Sequence, residues 1–193
     1  MILSVKKVEE KMITIRNLTV DDMKEAIQLK IKCWTEELAG KAENTLDYSK
    51  ELAFWVDWMN SAEENEDVRL LIGAFEDNKM LGVAFASFAE TEDIPEKGIE
   101  LNGLWVYHEQ RGRGVSLKLI VHILDFFKSI DKEKIVIYNH HYASSNQFYR
   151  KFGADVIRQD EQMGGKLQVD VFVADVDVLQ NNIEKSLSKF RDF

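Results

Sequence analysis

Residues 109–120, EQRGRGVSLKLI, place two arginines and two glycines between an extended segment and a helical one. The first amides of a helix have no acceptor within the helix, and the helix dipole adds partial positive charge, so such a turn can bind a phosphate. Gly112 and Gly114 would let the backbone approach the anion closely, and Arg111 and Arg113 add positive charge. A tight strand-to-helix connection with solvated arginines is the alternative, and these residues alone leave both interpretations open.

Three other nucleic-acid or nucleotide-binding motifs do not match this segment. A Walker A loop ends in Gly-Lys-Ser/Thr, and a dinucleotide fingerprint needs three glycines in the pattern G-x-G-x-x-G. Neither pattern is found in residues 109–120. An RGG-type RNA-binding tract would be longer and would be expected in a basic protein.

The composition of the chain narrows the class of protein. Its 193 residues are 45% hydrophobic, which suffices for one core, and the formal net charge of −9 argues against a nucleic-acid or anionic-membrane partner. The one cysteine, Cys33, excludes an internal disulfide and suits a reducing compartment. No apolar segment approaches the roughly 18 residues that span a bilayer. We therefore expect a cytoplasmic single domain.

The hydrophobic periodicity predicts a chain of alternating strand and helix segments. Mixed elements in one domain imply a mostly antiparallel sheet with helices on its faces, and the strand–helix–strand step around the long central helix should be parallel. Two late strands meet at Gly164-Gly165, a good hairpin signal. The predicted strands are 12–18, 68–76, 80–89, 99–108, 134–139, 154–163 and 166–175, and the predicted helices are 20–38, 48–59, 115–130, 144–152 and 176–190.

Two segments resemble the motifs of the GNAT superfamily of N-acetyltransferases. The first, within LWVYHEQRGRGVS, is similar to the acetyl-CoA-binding motif Arg/Gln-x-x-Gly-x-Gly/Ala, with Ser116 where glycine or alanine is usual. The second, FYRKFGA at residues 148–154, is similar to the family's Leu/Phe-Tyr-x-Lys-x-Gly-Phe helix. The resemblance covers residues 12–174, and it leaves an extension at 1–11 and an amphipathic helix at 175–193 outside the expected domain.

The resemblance implies an α/β (α+β) GNAT fold: a mixed, mostly antiparallel central sheet with a splayed parallel strand pair and helices on both faces. It implies acetyl-CoA as co-substrate. The pantetheine arm would contact the backbone of Leu104, Trp105 and Val106, and Gly103 would form a bulge that helps to open the gap between the strands. The coenzyme diphosphate would lie on the loop formed by Arg111, Gly112, Arg113, Gly114, Val115 and Ser116.

The resemblance also implies two catalytic residues. Where the family uses a glutamate as general base, it lies on the strand before the phosphate loop, and Glu100 holds that position here. Tyr149 matches the tyrosine that acts as general acid and hydrogen-bonds the coenzyme sulfur. A solvated Glu100 and a Tyr149 that only packs are the alternatives. The family often has an asparagine seven residues before the tyrosine; that residue is Tyr142 here, so Asn139 and Asn146 are the candidate coenzyme contacts instead.

The histidines and the cysteine suggest no metal site. No spacing of histidine, cysteine and acidic residues resembles a zinc site, so we expect no metal. Cys33, alone on a predicted helix, is typical of a core residue rather than a nucleophile. His140 and His141 flank the expected cleft, where a proton relay through one of them is the alternative to simple packing.

The acceptor site is the least determined part of the prediction. The family builds it from the first two helices, their connecting loop and the late hairpin, and the acidic loop 90–97 lies nearby. These segments predict a small cationic amine acceptor, and aromatic core contacts beside a solvated acidic face are the alternative. The aromatic and acidic residues on which this acceptor prediction depends are Trp34, Trp55, Trp58, Glu36, Glu37, Glu43, Asp47, Glu51 and Asp57.

Two other functions stay open, a non-catalytic acyl-CoA-binding regulatory module and a protein N-acetyltransferase. The C-terminal helix could cover its own core or a partner in a homodimer.

Overall fold

The computed structural model describes residues 12–90, 94, 98–162 and 164–189. These residues form a seven-stranded sheet in the order β1-β2-β3-β4-β5-β7-β6, with five α-helices. None of the helices in this part of the chain is both long and apolar enough to cross a membrane. The strands are β1 (Thr14–Asn17), β2 (Leu70–Glu76), β3 (Lys79–Phe88), β4 (Gly98–Val106), β5 (Lys134–His140), β6 (Asp155–Gln162) and β7 (Leu167–Asp175). The helices are α1 (Val20–Leu38), α2 (Tyr48–Asn60), α3 (Val115–Lys128), α4 (Asn146–Lys151) and α5 (Val176–Ser188).

Helices cover both faces of the sheet. On one face, α3 and α5 form a core with the sheet through side chains such as Phe127 and Ile183, both fully buried. On the other face, α1 and α2 pack against β2 and β3, and Met23 and Ile27 of α1 are fully buried there. The mixed sheet with helices on both faces confirms the predicted fold class. The C-terminal helix contributes to the core of its own chain, because Val176, Leu179 and Ile183 are all buried.

The only parallel pair in the described sheet, β4 and β5, separates after a few residues. Gly98, Ile99 and Glu100 pair with residues 134–136, and the pairing then ends. β4 continues to Val106 paired with β3, and β5 continues to His140 paired with β7. The predicted splayed pair is therefore present, and the edge of β4 that faces β5 is unpaired by β5 beyond Glu100.

A bulge in β4 lies beside this separation. Phe85 of β3 pairs with Gly103, whereas the next residue, Ala86, pairs with Leu101, so Asn102 is the extra residue. A Cβ atom at Gly103 would lie 2.1 Å from the Trp105 ring, so a larger residue here would require that ring to move. The bulge bends β4 at the point where it leaves β5.

Candidate functional site

A cavity of about 270 Å³ lies beside the end of β4. Four parts of the chain line it: the second half of α1, the end of β4, the loop that leads into α3, and the start of α4. We call it the loop cavity. Eight of the predicted coenzyme residues line it, namely Leu104, Trp105, Val106, Arg111, Gly112, Val115, Ser116 and Tyr149. Four others, Arg113, Gly114, Asn139 and Asn146, are not among its described lining residues.

The loop before α3 has the backbone that an anion site needs. Gly112 and Gly114 both have left-handed backbone angles, with φ of 77° and 76°. Gly114 is the N-cap of α3, and the hydrogen-bond ladder of the helix begins with Lys118 N donating to Gly114 O at 3.0 Å. The N–H groups of the first helical turn therefore have no acceptor within the helix, and that turn carries no acidic residue. A side chain at Gly112 would meet no atom within 4 Å, whereas one at Gly114 would meet Leu187 of α5.

The two arginines of the loop differ in position. Arg111 lines the loop cavity, where its Nε donates to Val106 O and its guanidinium pairs with Glu36, each at 3.3 Å. Arg113 binds Gln110 and pairs with Glu76 of β2 at 2.5 Å. Only Arg111 is therefore placed to contact a ligand in the loop cavity as the side chains stand.

A second, smaller cavity of about 80 Å³ lies in the gap between β4 and β5. We call it the gap cavity. Its lining comes from residues 101–105 of β4, residues 137–140 of β5, the last turns of α1, the start of α4, and β6 and β7. The two cavities have five lining residues in common, Glu37, Leu104, Trp105, Ser145 and Tyr149.

Tyr149 lies where the two cavities meet. The side chain is buried, and its ring packs against Phe148 and Phe172. Burial, with a smaller effect from the Glu37 carboxylate, raises the pKa of Tyr149 well above its usual value. The hydroxyl therefore stays protonated at neutral pH and can donate a hydrogen bond into the cavity.

Glu100 lies at the last paired position of the parallel strands, opposite Val136. Burial and then the charge of Glu90 raise the pKa of Glu100 to about 7, although a hydrogen bond with Asn102 opposes the shift. A carboxyl group that titrates near neutral pH is well suited to accept a proton. Glu100 is not among the described residues that line either cavity.

The amide side chains of Asn139 and Asn146 join the end of β5 to the start of α4. Asn146 is buried and donates to the carbonyl groups of His140 and His141 at 3.2 and 3.1 Å. Asn139 lines the gap cavity, and it donates to Asn146 Oδ1 at 2.7 Å and to Ser145 Oγ at 2.9 Å. These contacts join the end of β5 to the start of α4, the helix that carries Tyr149.

The family of the chain follows from a sequence comparison that covers this site. The model of the acetyltransferase (GNAT) family matches residues 24–154, which include both motif segments. The chain belongs to the GNAT acetyltransferase family. As a member, it is an acyltransferase. Among the curated proteins, none has a sequence that matches significantly.

Solved GNAT structures have the same fold. The PaiA N-acetyltransferase from Thermoplasma acidophilum, in complex with coenzyme A, is 22% identical with a TM-score of 0.68 over 85% of this chain and 99% of its own. Ribosomal-protein-alanine N-acetyltransferase from Brucella melitensis is 17% identical with a TM-score of 0.63 over 84% and 99%. The yncA protein of Salmonella typhimurium, solved with its cofactor acetyl-CoA, is 19% identical with a TM-score of 0.60 over 86% and 95%.

The aromatic residues of the first two helices divide between the site and the core of this GNAT domain. Trp34 lines the gap cavity. Trp55 is buried between Phe85 and Trp105, with ring centroids 5.1 and 6.4 Å away, and Trp58 packs edge-on against Trp55. For Trp55 and Trp58, the core interpretation is therefore the one that the structure supports.

The acidic residues of the same helices also differ in their surroundings: some stabilise the helices and one lines the cavities. Asp47 caps α2 through Lys50 N at 2.9 Å, and Glu51 pairs with Lys30 and accepts from the indole of Trp55. Glu37 lines both cavities, and its Oε2 lies 3.0 Å from Nε2 of His140. The acidic loop 90–97, apart from residues 90 and 94, lies outside the described residues, as does the extension 1–11.

Some residues of the site were missed by the sequence analysis. Gln110, Ser144, Ser145 and Phe148 line the loop cavity. The pair of serines directly before the α4 motif is the signal that could have found two of them. Cys33 also lines this cavity, but burial raises the pKa of its thiol, so it stays protonated and is a poor nucleophile. No group of three or more His, Cys, Asp and Glu side chains in the described ranges could hold a metal.

Proposed function

We propose that this GNAT chain transfers the acetyl group of acetyl-CoA to a primary amine. The observation that carries the proposal is the loop cavity, which joins a glycine turn, a helix N-terminus without acidic residues and the unpaired edge of β4. Two related structures were solved with coenzyme A or acetyl-CoA, which supports the same ligand here.

The residues of the loop cavity fit this ligand chemically. When bound, acetyl-CoA supplies the acetyl thioester. The amides at the start of α3 and the guanidinium of Arg111 would hold the diphosphate, since both offer hydrogen-bond donors and positive charge. Residues 104–106 of β4 have a backbone edge that β5 leaves unpaired, and this edge would bind the amide groups of the pantetheine arm.

Two side chains would handle protons. Tyr149 keeps its hydroxyl proton at neutral pH and lines both cavities, so we assign it the role of donor to the sulfur. Glu100 has a pKa of about 7 and is assigned the role of proton acceptor for the ammonium group. Because Glu100 does not line the cavities, its proton would arrive through a bridging water.

A small cationic amine is the acceptor that the charges favour. Glu37 and Trp34 line the gap cavity, and an anionic carboxylate and an indole ring both attract ammonium groups. The net charge of −9 raises the local concentration of cations at low salt. This part of the proposal concerns the acceptor alone and does not depend on the coenzyme assignment.

The test measures thiol release from acetyl-CoA with three amines of equal chain length: 1,4-diaminobutane, n-butylamine and 4-aminobutyrate. We expect kcat/KM to be highest for 1,4-diaminobutane and lowest for 4-aminobutyrate, and we expect salt to reduce the difference. Calorimetry with coenzyme A is measured in parallel. Coenzyme binding without thiol release from any of the amines, or from a peptide with a free N-terminus, would favour a non-catalytic module. Release with the peptide alone would favour a protein N-acetyltransferase.

A further inference from the structure

Glu37 occupies the place where the openings of the site converge. It lines the loop cavity and the gap cavity, and it also lines a surface opening formed with Glu36, Lys41, His108, Arg111 and Ser144. A ligand that enters through this opening and moves toward Tyr149 therefore passes the Glu37 carboxylate.

The position of Glu37 is unfavourable for the helix that carries it. Glu36 and Glu37 lie in the last turn of α1, where the helix dipole is negative, and no basic residue of that turn offsets them. Glu36 pairs with Arg111, whereas Glu37 forms no ion pair with Lys or Arg within the described part of the chain. Residues that conflict with a local preference, such as an acidic residue at the C-terminal end of a helix, are common at functional sites.

A buried histidine holds the Glu37 carboxylate. The His140 side chain is 3% exposed, and its Nε2 lies 3.0 Å from Glu37 Oε2. Because an ionised carboxylate only accepts hydrogen bonds, Nε2 carries the proton in this pair. The other ring nitrogen, Nδ1, is buried without a partner among the described residues, so the only hydrogen bond of the ring goes to Glu37.

This arrangement leaves the second oxygen of Glu37 for a ligand. Oε1 accepts no hydrogen bond from the described residues, and the side chain is 24% exposed. The lysine and the arginine of the surface opening have other partners: Arg111 binds Glu36 and Val106 O, and Lys41 donates to Tyr142 O at 3.0 Å. Glu37 is therefore a fixed, anionic hydrogen-bond acceptor beside Tyr149.

We propose that Glu37, held by His140, binds an ammonium group of the acceptor other than the one that reacts, and so sets the preference for acceptors with a second cationic group. This inference rests on the proposed function, because it identifies how the same site recognises its acceptor. Glu37 is a specificity-determining residue, and His140 is a positioning residue that acts through it. Glu100 and Tyr149 keep the proton-transfer roles proposed above, so Glu37 should affect binding more than turnover.

The experiment compares Glu37→Gln with the wild type, using 1,4-diaminobutane at saturating acetyl-CoA. Losing a charged hydrogen bond should raise KM by about 10- to 100-fold, whereas kcat should change by less than about 3-fold. Calorimetry of 1,4-diaminobutane with the coenzyme A-saturated protein gives a readout without turnover, and its Kd should rise by the same factor. Because Glu37 also lines the loop cavity, coenzyme A affinity is measured as well. A larger loss for coenzyme A than for 1,4-diaminobutane would assign Glu37 to the coenzyme and overturn the inference.

Two further variants test the role of His140 and of bulk charge. His140→Phe, which removes the donor, should raise KM for 1,4-diaminobutane, and His140→Gln, which keeps an N–H donor, should recover part of the loss. Asp21→Asn removes the same charge from an exposed site on α1 and should leave KM and kcat at their wild-type values. A comparable loss in Asp21→Asn would overturn the inference in favour of a general charge effect.

The outcomes separate this inference from the proposed function. If the wild type acetylates amines and Glu37→Gln keeps the wild-type KM and Kd, the inference is wrong and the proposed function stands. If the wild type binds 1,4-diaminobutane without turnover, the calorimetric comparison alone decides the inference. If the wild type neither releases thiol nor binds any of the three amines, both proposals fail.

Discussion

The loop cavity and the gap cavity share a wall but are built in different ways. Much of the lining of the loop cavity comes from one stretch of chain, β4 followed by the loop into α3. The functional groups of this cavity therefore lie close together in the sequence. The gap cavity takes its lining from α1, β4, β5, α4, β6 and β7. The difference teaches that a proposed anion site formed by consecutive backbone groups can be predicted from a motif, whereas the proposed acceptor site, assembled from side chains of distant segments, cannot.

Two glutamates illustrate the same contrast. The resemblance to the GNAT family predicted Glu100 as the base from its position ahead of the predicted phosphate loop. Burial raises the pKa of Glu100 to about 7, but Glu100 does not line either cavity. Glu37 was one acidic residue among several on the first helices, and the structure places it in both cavities. If the loop cavity binds the coenzyme and the gap cavity binds the acceptor, as proposed, substitutions should fall into three groups. One group should change turnover, another coenzyme affinity and the third acceptor binding.

The largest effect is expected for Glu100→Gln. If Glu100 accepts the proton of the amine, kcat should fall by about 10²- to 10⁴-fold, with coenzyme affinity retained. The wild-type rate should rise with pH through about 7, as the carboxyl group ionises, and this inflection should be absent in the variant. A pH profile of kcat and kcat/KM for both proteins is the measurement. A variant with near-normal kcat would remove Glu100 from the mechanism.

The pKa of Glu100 can also be checked without turnover. Because it is raised from 4.5 in the folded protein, its contribution to the free energy of unfolding is complete below about 4.5 and is lost as pH rises through about 7. Glu100→Gln should remove this pH dependence in denaturant titrations. Identical pH profiles of stability for wild type and variant would show that the carboxyl group is not perturbed.

The next largest effect is expected for Gly112→Glu, which tests the loop cavity alone. The φ of 77° is strained for any side chain, and a carboxylate beside the helix N-terminus would compete with the diphosphate. Coenzyme A affinity in calorimetry should fall by about 100-fold or more. Gly164→Glu, at a φ of 67° in the turn between β6 and β7, is the matched control and should bind coenzyme A normally.

A smaller effect is expected for Tyr149→Phe, at the wall that the two cavities share. The ring still packs against Phe172, but the proton donor is lost, so kcat should fall by roughly 10- to 100-fold. Coenzyme affinity should change little. Single-turnover kinetics with saturating amine would measure the chemical step. A variant that loses coenzyme affinity but keeps kcat would make Tyr149 a binding residue of the loop cavity.

The smallest effect is expected for Glu90→Gln, which leaves both cavities intact. The charge of Glu90 contributes to the raised pKa of Glu100, so its removal should lower that pKa and move the acidic limb of the rate profile to lower pH. The shift should be less than about one pH unit, since burial is the larger cause. If the acidic limb moved to higher pH, or did not move, the inflection would belong to another group.

The sequence alone determined the order of the elements and the fold class, and it predicted a phosphate loop before α3. Apolar periodicity located the seven strands and five α-helices of the described residues, and their ends differ from the structure by two residues at most. Gly112 and Gly114 could be interpreted because each meets a local backbone requirement, a left-handed turn, and the predicted bulge lies beside Gly103, at Asn102. Local requirements are visible in a sequence because the residues that satisfy them are neighbours in it.

Only the tertiary structure decided which polar side chains work together. Glu37 and His140 are far apart in the chain and meet because α1 packs beside the end of β5. Trp34 and Trp55 look alike in the sequence, but Trp34 of α1 lines the gap cavity, whereas Trp55 of α2 is buried in the core. Arg111 and Arg113, two residues apart on either side of the left-handed Gly112, also have different partners, Glu36 of α1 and Glu76 of β2. Side-chain partnership depends on long-range packing, which no local pattern in the sequence encodes.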